Sequence, residues 1–311
     1  MKKISILVTS LLLSCGALSA QTISVIETVK LTDASENGQF YFPRMSPDGN
    51  KVFLTRENYQ GLWYYDMNSH KIVAVTEDAG AGYKFAVSND GSTVFFRSNI
   101  MGDYGIRTSQ KIVEKNIATN SETVLAEGDN LSTPLQVNAA SLAYAREEEL
   151  AVKNLTDAPA QKAVLSRPVV KIVEGGMLLY VNGEKRKLAP FGEGHYVWPS
   201  ISPDGKKVLF TLAGKGAFIC DLSGKILSEL GKANAPVWSP DGNYVAYMVD
   251  KDDGQMYIAS DIYVYSVATA KKQKLTDTKD VIEMYPEWNT QDGILYHSDD
   301  GSTYLMKIKI D

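Results

Sequence analysis

Phe42-Pro-Arg-Met-Ser-Pro-Asp-Gly-Asn-Lys-Val-Phe53 decides the fold, because its central corner, Ser46-Pro47-Asp48-Gly49, returns along the chain. It recurs intact as Ser202-Pro203-Asp204-Gly205 and as Ser239-Pro240-Asp241-Gly242. Ser88-Asn89-Asp90-Gly91 is a near copy, and Asn289-Thr290-Gln291-Asp292-Gly293 carries one extra residue. Turn chemistry explains the residues: Pro presets φ, Asp bonds its own backbone, and Gly takes the positive-φ position that closes the turn. A short β-run follows each corner, Val52–Thr55, Val94–Phe96, Val208–Thr211, Val245–Tyr247 and Ile294–Tyr296. A turn-plus-strand unit returning about every 40–50 residues is the mark of propeller blades.

The frame ahead of the corner repeats as well. Pro43, Pro199, Pro236 and Pro286 stand three positions before it, with Phe85 in the same place in the second copy. An apolar residue (Met45, Val87, Ile201, Trp238 or Trp288) sits immediately before the corner. A sixth, degenerate copy spans Pro134 to Tyr144, with Asn138-Ala139 in place of the corner. Outer hairpins follow at Leu62–Val75, Ile112–Leu125, Leu150–Leu165, Ala217–Leu230 and Ile262–Leu275. The last repeat, Tyr285 to Lys309, lacks an outermost strand, which Ile23–Leu31 is expected to supply, closing the ring and removing its open edge. Six corners favour an all-β, single six-bladed β-propeller over residues 22–311. A further hairpin at Met177–Leu188, with Asn182-Gly183 at its turn, keeps seven blades open, although its spacing is too short for a full four-stranded blade.

The chain has 311 residues and a net charge of −5. Met1-Lys2-Lys3 followed by Ile4–Leu13 has the charged and apolar regions of a secretory signal peptide, too short to span a bilayer. Gly16–Ala20 offers a cleavage site, giving a leader over residues 1–20 and a periplasmic or secreted protein. Leu12-Leu13-Ser14-Cys15-Gly16 resembles a lipobox, the alternative being a lipoprotein anchored through Cys15. No other stretch is long and apolar enough for a membrane span. Without Cys15, Cys220 is the only thiol, so no intrachain disulfide forms, and its strand pattern predicts a buried, inert residue. The acidic balance with no basic run argues against a nucleic-acid partner.

Phe42–Phe53 and Tyr196–Phe210 resemble the TolB-type (WD40-like) propeller repeat, found in the periplasmic Tol system protein and in many exported Bacteroidetes propellers. The resemblance covers almost all of the chain after the leader and implies fold rather than function, since such blades serve binding proteins, accessory domains and lyases alike. The α/β domain that precedes the TolB propeller has no counterpart here, so the Tol-specific role is not implied.

Catalytic constellations are incomplete. No Gly-x-Ser-x-Gly elbow occurs, which excludes the hydrolase chemistry that accompanies some propellers. Lyases that resemble these repeats use clustered His ligands, whereas the chain has three His. His70 falls in an outer turn, while His195 and His297 lie where both can reach one face. Asp250-Lys251-Asp252-Asp253-Gly254 lacks the alternation of an EF-type calcium loop. No cofactor and no metal site are therefore expected.

The second strands end in Arg56, Arg97 and Arg146 in the first three repeats, and near Asp250 and Asp299 in the last two. That pattern suggests a loop face basic on one side and acidic on the other, diluted by Glu57 and Glu147. Arg suits bidentate recognition of carboxylates. The ligand-binding expectation therefore falls on Arg56, Arg97, Arg146, Tyr196, His195, Asp250 and His297, with Tyr83 and Tyr285 beside Tyr196 at the funnel mouth. Arg44 and Glu287, two residues before the first and last corners, are expected to pair once the ring closes. The function expected is a non-catalytic exported propeller binding an envelope protein or glycan. The alternative is a metal-dependent polysaccharide or oligosaccharide lyase-type enzyme using His195, His297 and the arginines.

Overall fold

The computed structural model describes residues 22–138, 141–154, 167–289 and 292–310. The expected leader and Cys15 lie outside them. The described strands form seven antiparallel sheets. Sheet I holds Tyr41–Met45, Lys51–Thr55, Gln60–Asp66 and Ile72–Ala79. Sheet II holds Ala86–Val87, Thr93–Met101, Arg107–Asn116 and Glu122–Gly128. Sheet III comprises Leu135–Asn138, Ser141–Arg146 and Glu149–Asn154, and sheet IV comprises Val169–Val173, Gly176–Val181 and Glu184–Leu188. Sheet V holds Tyr196–Ile201, Lys207–Leu212, Gly216–Asp221 and Ile226–Gly231, and sheet VI holds Asn234–Trp238, Tyr244–Asp252, Tyr257–Ser266 and Lys272–Lys274. Sheet VII runs Glu283–Trp288, Gly293–Ser298 and Thr303–Ile310, and its outermost strand is Ile23–Thr32 from the other end of the chain.

Seven apolar clusters hold the ring, each between neighbouring sheets. Phe53 and Leu62 of sheet I meet Val94 and Phe96 of sheet II, and Leu209 and Ile219 of sheet V meet Val245 and Tyr247 of sheet VI. Leu31 and Leu295 of sheet VII pack on Val52 and Leu54 of sheet I, which closes the circle. A sheet covered on both faces needs apolar residues at consecutive positions. Val52, Phe53 and Leu54 accordingly have no exposed surface.

Closure is specific. Ile23–Thr32 runs antiparallel to Thr303–Ile310, from Ile23 opposite Ile310 to Thr32 opposite Thr303, whose hydroxyls are 2.8 Å apart. The Ile23 N–H also donates to Gln273 Oε1 of sheet VI at 3.0 Å, and the Gln273 amide returns a bond to the Ile23 carbonyl.

The corners work as their chemistry predicts. Ser46, Ser88, Ser202 and Ser239 each donate to the Asp two residues on at 2.5–2.6 Å. Each also accepts the N–H of the residue five on at 2.9–3.0 Å. Gly49, Gly91, Gly205 and Gly242 hold φ between 67° and 74°, where a Cβ is strained. The Ser88 hydroxyl, first, and the Ser92 amide hold the Asp90 carboxyl down at about 2. Three corners are stitched to the outer turn of their own sheet, by Met67 N–H to Asn50 O, Ile117 N–H to Ser92 O and Val267 N–H to Asn243 O, at 2.8–2.9 Å. These turns define a corner face; the loops between second and third strands, and the connectors between sheets, define the opposite loop face.

Sheet IV is the irregular member. It carries no corner, so corner-bearing units number six and sheets seven, and the Met177–Leu188 hairpin belongs to a three-stranded sheet. Its first strand runs against the others: Arg167 and Pro168 lie beside the Ser202–Gly205 corner, and Gly175 lies beside Glu193 on the loop face. Val169–Val173 thus has the direction of a second strand, and its sheet packs on sheet III through Ala143, Val169, Leu178 and Tyr180.

Candidate functional site

The innermost strands share a device that shapes the loop face at the centre of the ring. Their register slips between Tyr41 and Arg44, Val197 and Ser200, Asn234 and Val237, and Met284 and Glu287. Within each slip one non-glycine residue takes a left-handed backbone: Phe42, Trp198, Ala235 and Tyr285, at φ 45–52°. Lys84, at φ 50°, holds the same place ahead of sheet II. Pro43, Pro199, Pro236 or Pro286 follows, a residue suited to a bulge because it has no N–H to leave unpaired. Such a backbone costs about 1–3 kcal/mol per residue, so the surrounding contacts must hold it.

Around sheets VI, VII, I and II those contacts form an aromatic mouth. The Phe42 ring stacks on Tyr59 at 4.7 Å and meets Tyr285 edge-on at 4.8 Å, while Tyr59 meets Tyr83 at 4.8 Å. Tyr285 stacks on His297 at 5.4 Å, and its hydroxyl pKa is raised, by burial first and then by Tyr257. Phe42, Tyr59, Tyr83 and Tyr285 are half-buried and Tyr257 is exposed, so one side of the group faces water.

Charges sit beside the mouth. Arg44 Nη1 donates to Phe85 O at 2.5 Å and Nε faces Glu287 Oε1 at 3.7 Å, while the guanidinium lies 5.5 Å from the Phe85 ring. Arg44 thus joins the inner strands of sheets VII, I and II, and the pairing expected from the sequence is present. Lys84 shares the electrostatic field of both. Burial lowers the Lys84 ammonium pKa and raises that of the Glu287 carboxyl, although both side chains still reach water. A group walled by protein yet open to solvent fits the narrow centre of a ring.

The other residues singled out by sequence have separate tasks. Arg56 donates to Gln39 O at 3.0 Å and lies over Phe40 at 3.9 Å. Arg97 donates to Leu131 O at 2.8 Å, 5.7 Å from the Tyr83 ring, and Arg146 donates to Glu127 O at 2.6 Å. All three guanidinium groups therefore tie connector or strand backbone, and Arg97 alone also borders the mouth. Asp250 is buried; Asn234 Nδ2 donates to it at 2.5 Å and Lys232 lies 3.7 Å away. Tyr196 is buried too, its hydroxyl donating to Gly192 O at 2.9 Å and accepting from Phe191 N–H at 3.0 Å.

The structure places His195 and His297 in different surroundings. His195 is exposed beside a groove between sheets IV and V, with Ile172, Glu174 and Tyr196. His297 is 3% exposed, its Nδ1–H donates to Ser298 O at 3.0 Å, and Nε2 is buried without a partner. Burial pushes its pKa down to about 4, so the imidazole is neutral at pH 7. Among the described residues no three His, Cys, Asp or Glu side chains stand close enough to share a metal ion. Phe42, Lys84 and Trp198 were not singled out by sequence. The signal was available, since each directly precedes the inner-strand Pro or the Phe85 that replaces it.

No family model matches the chain, and no curated protein matches it by sequence. Solved structures do match in fold. The β-propeller domain of Cps50 (Swd1) from Myceliophteria thermophila aligns with TM-score 0.57 and 11% identity, covering 93% of this chain and 100% of that one. An oligogalacturonate lyase from Vibrio parahaemolyticus aligns with TM-score 0.52 and 15% identity, covering 90% of this chain and 80% of that one. An oligogalacturonate lyase in complex with manganese gives TM-score 0.51 and 15% identity, covering 90% and 79%. At such identities the likeness shows a propeller fold alone.

Proposed function

We propose that the chain is a non-catalytic, exported propeller that binds a glycan or a protein partner through its loop face, with the aromatic mouth as the contact surface. The observation that carries this reading is the half-buried group Phe42, Tyr59, Tyr83 and Tyr285, gathered from three sheets and left open on one side. Flat, pre-ordered rings stack on sugars or on apolar side chains at little cost in conformational entropy. Export is inferred from the leader-like residues 1–20, with lipid attachment at Cys15 as the alternative.

The lyase reading draws support from the two oligogalacturonate lyases among the structural neighbours. His297 fits it poorly, since the ring is enclosed by Tyr41, Phe42 and Tyr285.

The test is retention of envelope polysaccharides and proteins on immobilised protein, comparing wild type with a Tyr59→Ala/Tyr83→Ala double variant. A partner retained by wild type and lost by the variant, with the melting temperature of both recorded, supports the mouth as the site. Equal retention by both proteins refutes it. Bond cleavage in a bound glycan, with loss on His297→Ala, would replace binding by lyase chemistry.

A further inference from the structure

Lys84 stands out among the cations beside the aromatic mouth because it has a neighbourhood but no partner. Arg56, Arg97 and Arg146 each donate to a backbone carbonyl, and Lys232 is paired with Asp250. Among the described residues Lys84 makes no hydrogen bond and no ion pair within 4.0 Å. Its backbone is left-handed, at φ 50°, and its exposed side chain carries the ammonium 5.8 Å from the Tyr83 ring. Arg44 carries a second positive charge nearby, with Nη1 and Nε engaged and Nη2 free of any partner among the described residues. Glu287 is the one carboxylate acting on both cations. Two cations and one carboxylate leave one positive charge uncompensated, in a place where protein atoms displace much of the screening water.

We propose that this throat is an anion subsite: Lys84, with Arg44 beside it, receives the carboxylate or sulfate of an acidic glycan whose sugar ring stacks on Tyr59 and Tyr83. The inference rests on the mouth being a binding surface. It adds the charge of the ligand and the residue that selects it. Lys84 and Tyr83 are adjacent in sequence, so one connector supplies both the ring that stacks and the charge that selects. Arg44 is pre-positioned by Phe85 and Glu287, which spares the ordering cost that a free guanidinium would carry on binding. A charge-assisted contact in such a setting is roughly twice as strong as a neutral one, enough to separate an acidic sugar from its neutral counterpart.

Calorimetric titration of the full chain with three oligosaccharides of equal length tests this: an oligouronate, a sulfated one, and a neutral one. Wild type should bind at least one acidic oligosaccharide about tenfold more tightly than the neutral one, with the advantage shrinking as salt rises. Lys84→Gln should remove that advantage, with the melting temperature of each variant recorded, whereas Tyr59→Ala should weaken all three. Preference between uronate and sulfate identifies the acidic group. Equal affinity for neutral and acidic sugars in wild type, or an acidic preference that survives Lys84→Gln, overturns the subsite and leaves the mouth standing. Absence of any sugar binding, with an envelope protein retained through Tyr59 and Tyr83, overturns it in favour of a protein ligand. Retention of nothing removes both readings.

Discussion

Acidification from pH 7 to pH 5 should destabilise this protein through His297. The imidazole is enclosed by Tyr41, Phe42 and Tyr285, and its folded pKa lies at about 4 against 6.5 for the free side chain. Its folded pKa is depressed, so its stabilising contribution is fully present above pH 6.5. The contribution falls as pH drops, because the unfolded chain takes up a proton that the folded chain refuses, and it is exhausted near pH 4. At 1.36 kcal/mol per pKa unit the whole effect is about 3 kcal/mol, of which about 2 kcal/mol is lost by pH 5. For a domain of this size that corresponds to a melting temperature lower by about 3 °C. His297→Phe is the informative comparator. Phe keeps the ring contacts and removes the unpartnered Nε2, and Ser298 O still accepts from Gly301 N–H at 3.0 Å. Glu283 and Glu287, whose pKa values burial raises, bias stability toward acid with the opposite sign, but they are common to both proteins. Scanning calorimetry across pH 7 to 5 should show a decline in wild type and a flatter profile in His297→Phe. Parallel profiles would refute the reasoning.

Ser239→Ala removes the hydroxyl that bonds both Asp241 and the Tyr244 N–H; a loss of about 1–3 kcal/mol is expected in urea unfolding. A change below a few tenths would show that the corner serine is dispensable. Deleting Ile23–Thr32 uncovers the edge of Thr303–Ile310 and the sites of Ile23 and Leu31, about 3–6 kcal/mol of apolar burial before any ladder bonds are counted. Amide exchange in Thr303–Ile310 should rise sharply, and an unchanged pattern would argue that the ring holds without its N-terminal strand. Cys220 has no exposed surface and burial lifts its thiol to about 12, so a thiol reagent should react only after denaturant is added. Rapid labelling of the folded protein would contradict the packing described.

The fold was legible because the corner is local chemistry. Ser, Asp and Gly at fixed offsets satisfy each other without help from the rest of the chain, so their recurrence marks each unit wherever it occurs. The closing strand was legible from a different signal, the missing outer strand of the last repeat. Of sheet IV only the Met177–Leu188 hairpin was legible; its first strand was not, because Val173-Glu174-Gly175-Gly176 joins it without a corner and nothing in the motif reports a reversed strand direction. The candidate site was only partly legible. Tyr83 and Tyr285 were placed at the mouth from their position before inner strands, and the Arg44–Glu287 pairing followed from closure. Tyr196 occupies the corresponding position, yet the connector after Ala189 folds back and takes its hydroxyl inward. The ends of second strands located Arg56 and Arg146, whereas Arg97, also expected at a strand end, lies four residues inside Thr93–Met101 because that strand runs on past it; strand position also carries no information about which carbonyl a guanidinium finds. Phe42, Lys84 and Trp198 depend on a backbone slip that periodicity does not encode, and only the Pro or Phe85 that follows each of them marks it.

Antiparallel pairing of Ile23 with Ile310 has a practical geometric consequence. Ile308 N–H bonds Asp292 O in the last corner, so both ends of the described chain leave the ring at one rim, on the corner face. A linker or solid support joined at Ile23 or at Ile310 therefore orients the molecule the same way. The loop face, with its rings and throat, is presented outward, and no other surface feature needs to be engineered to display it.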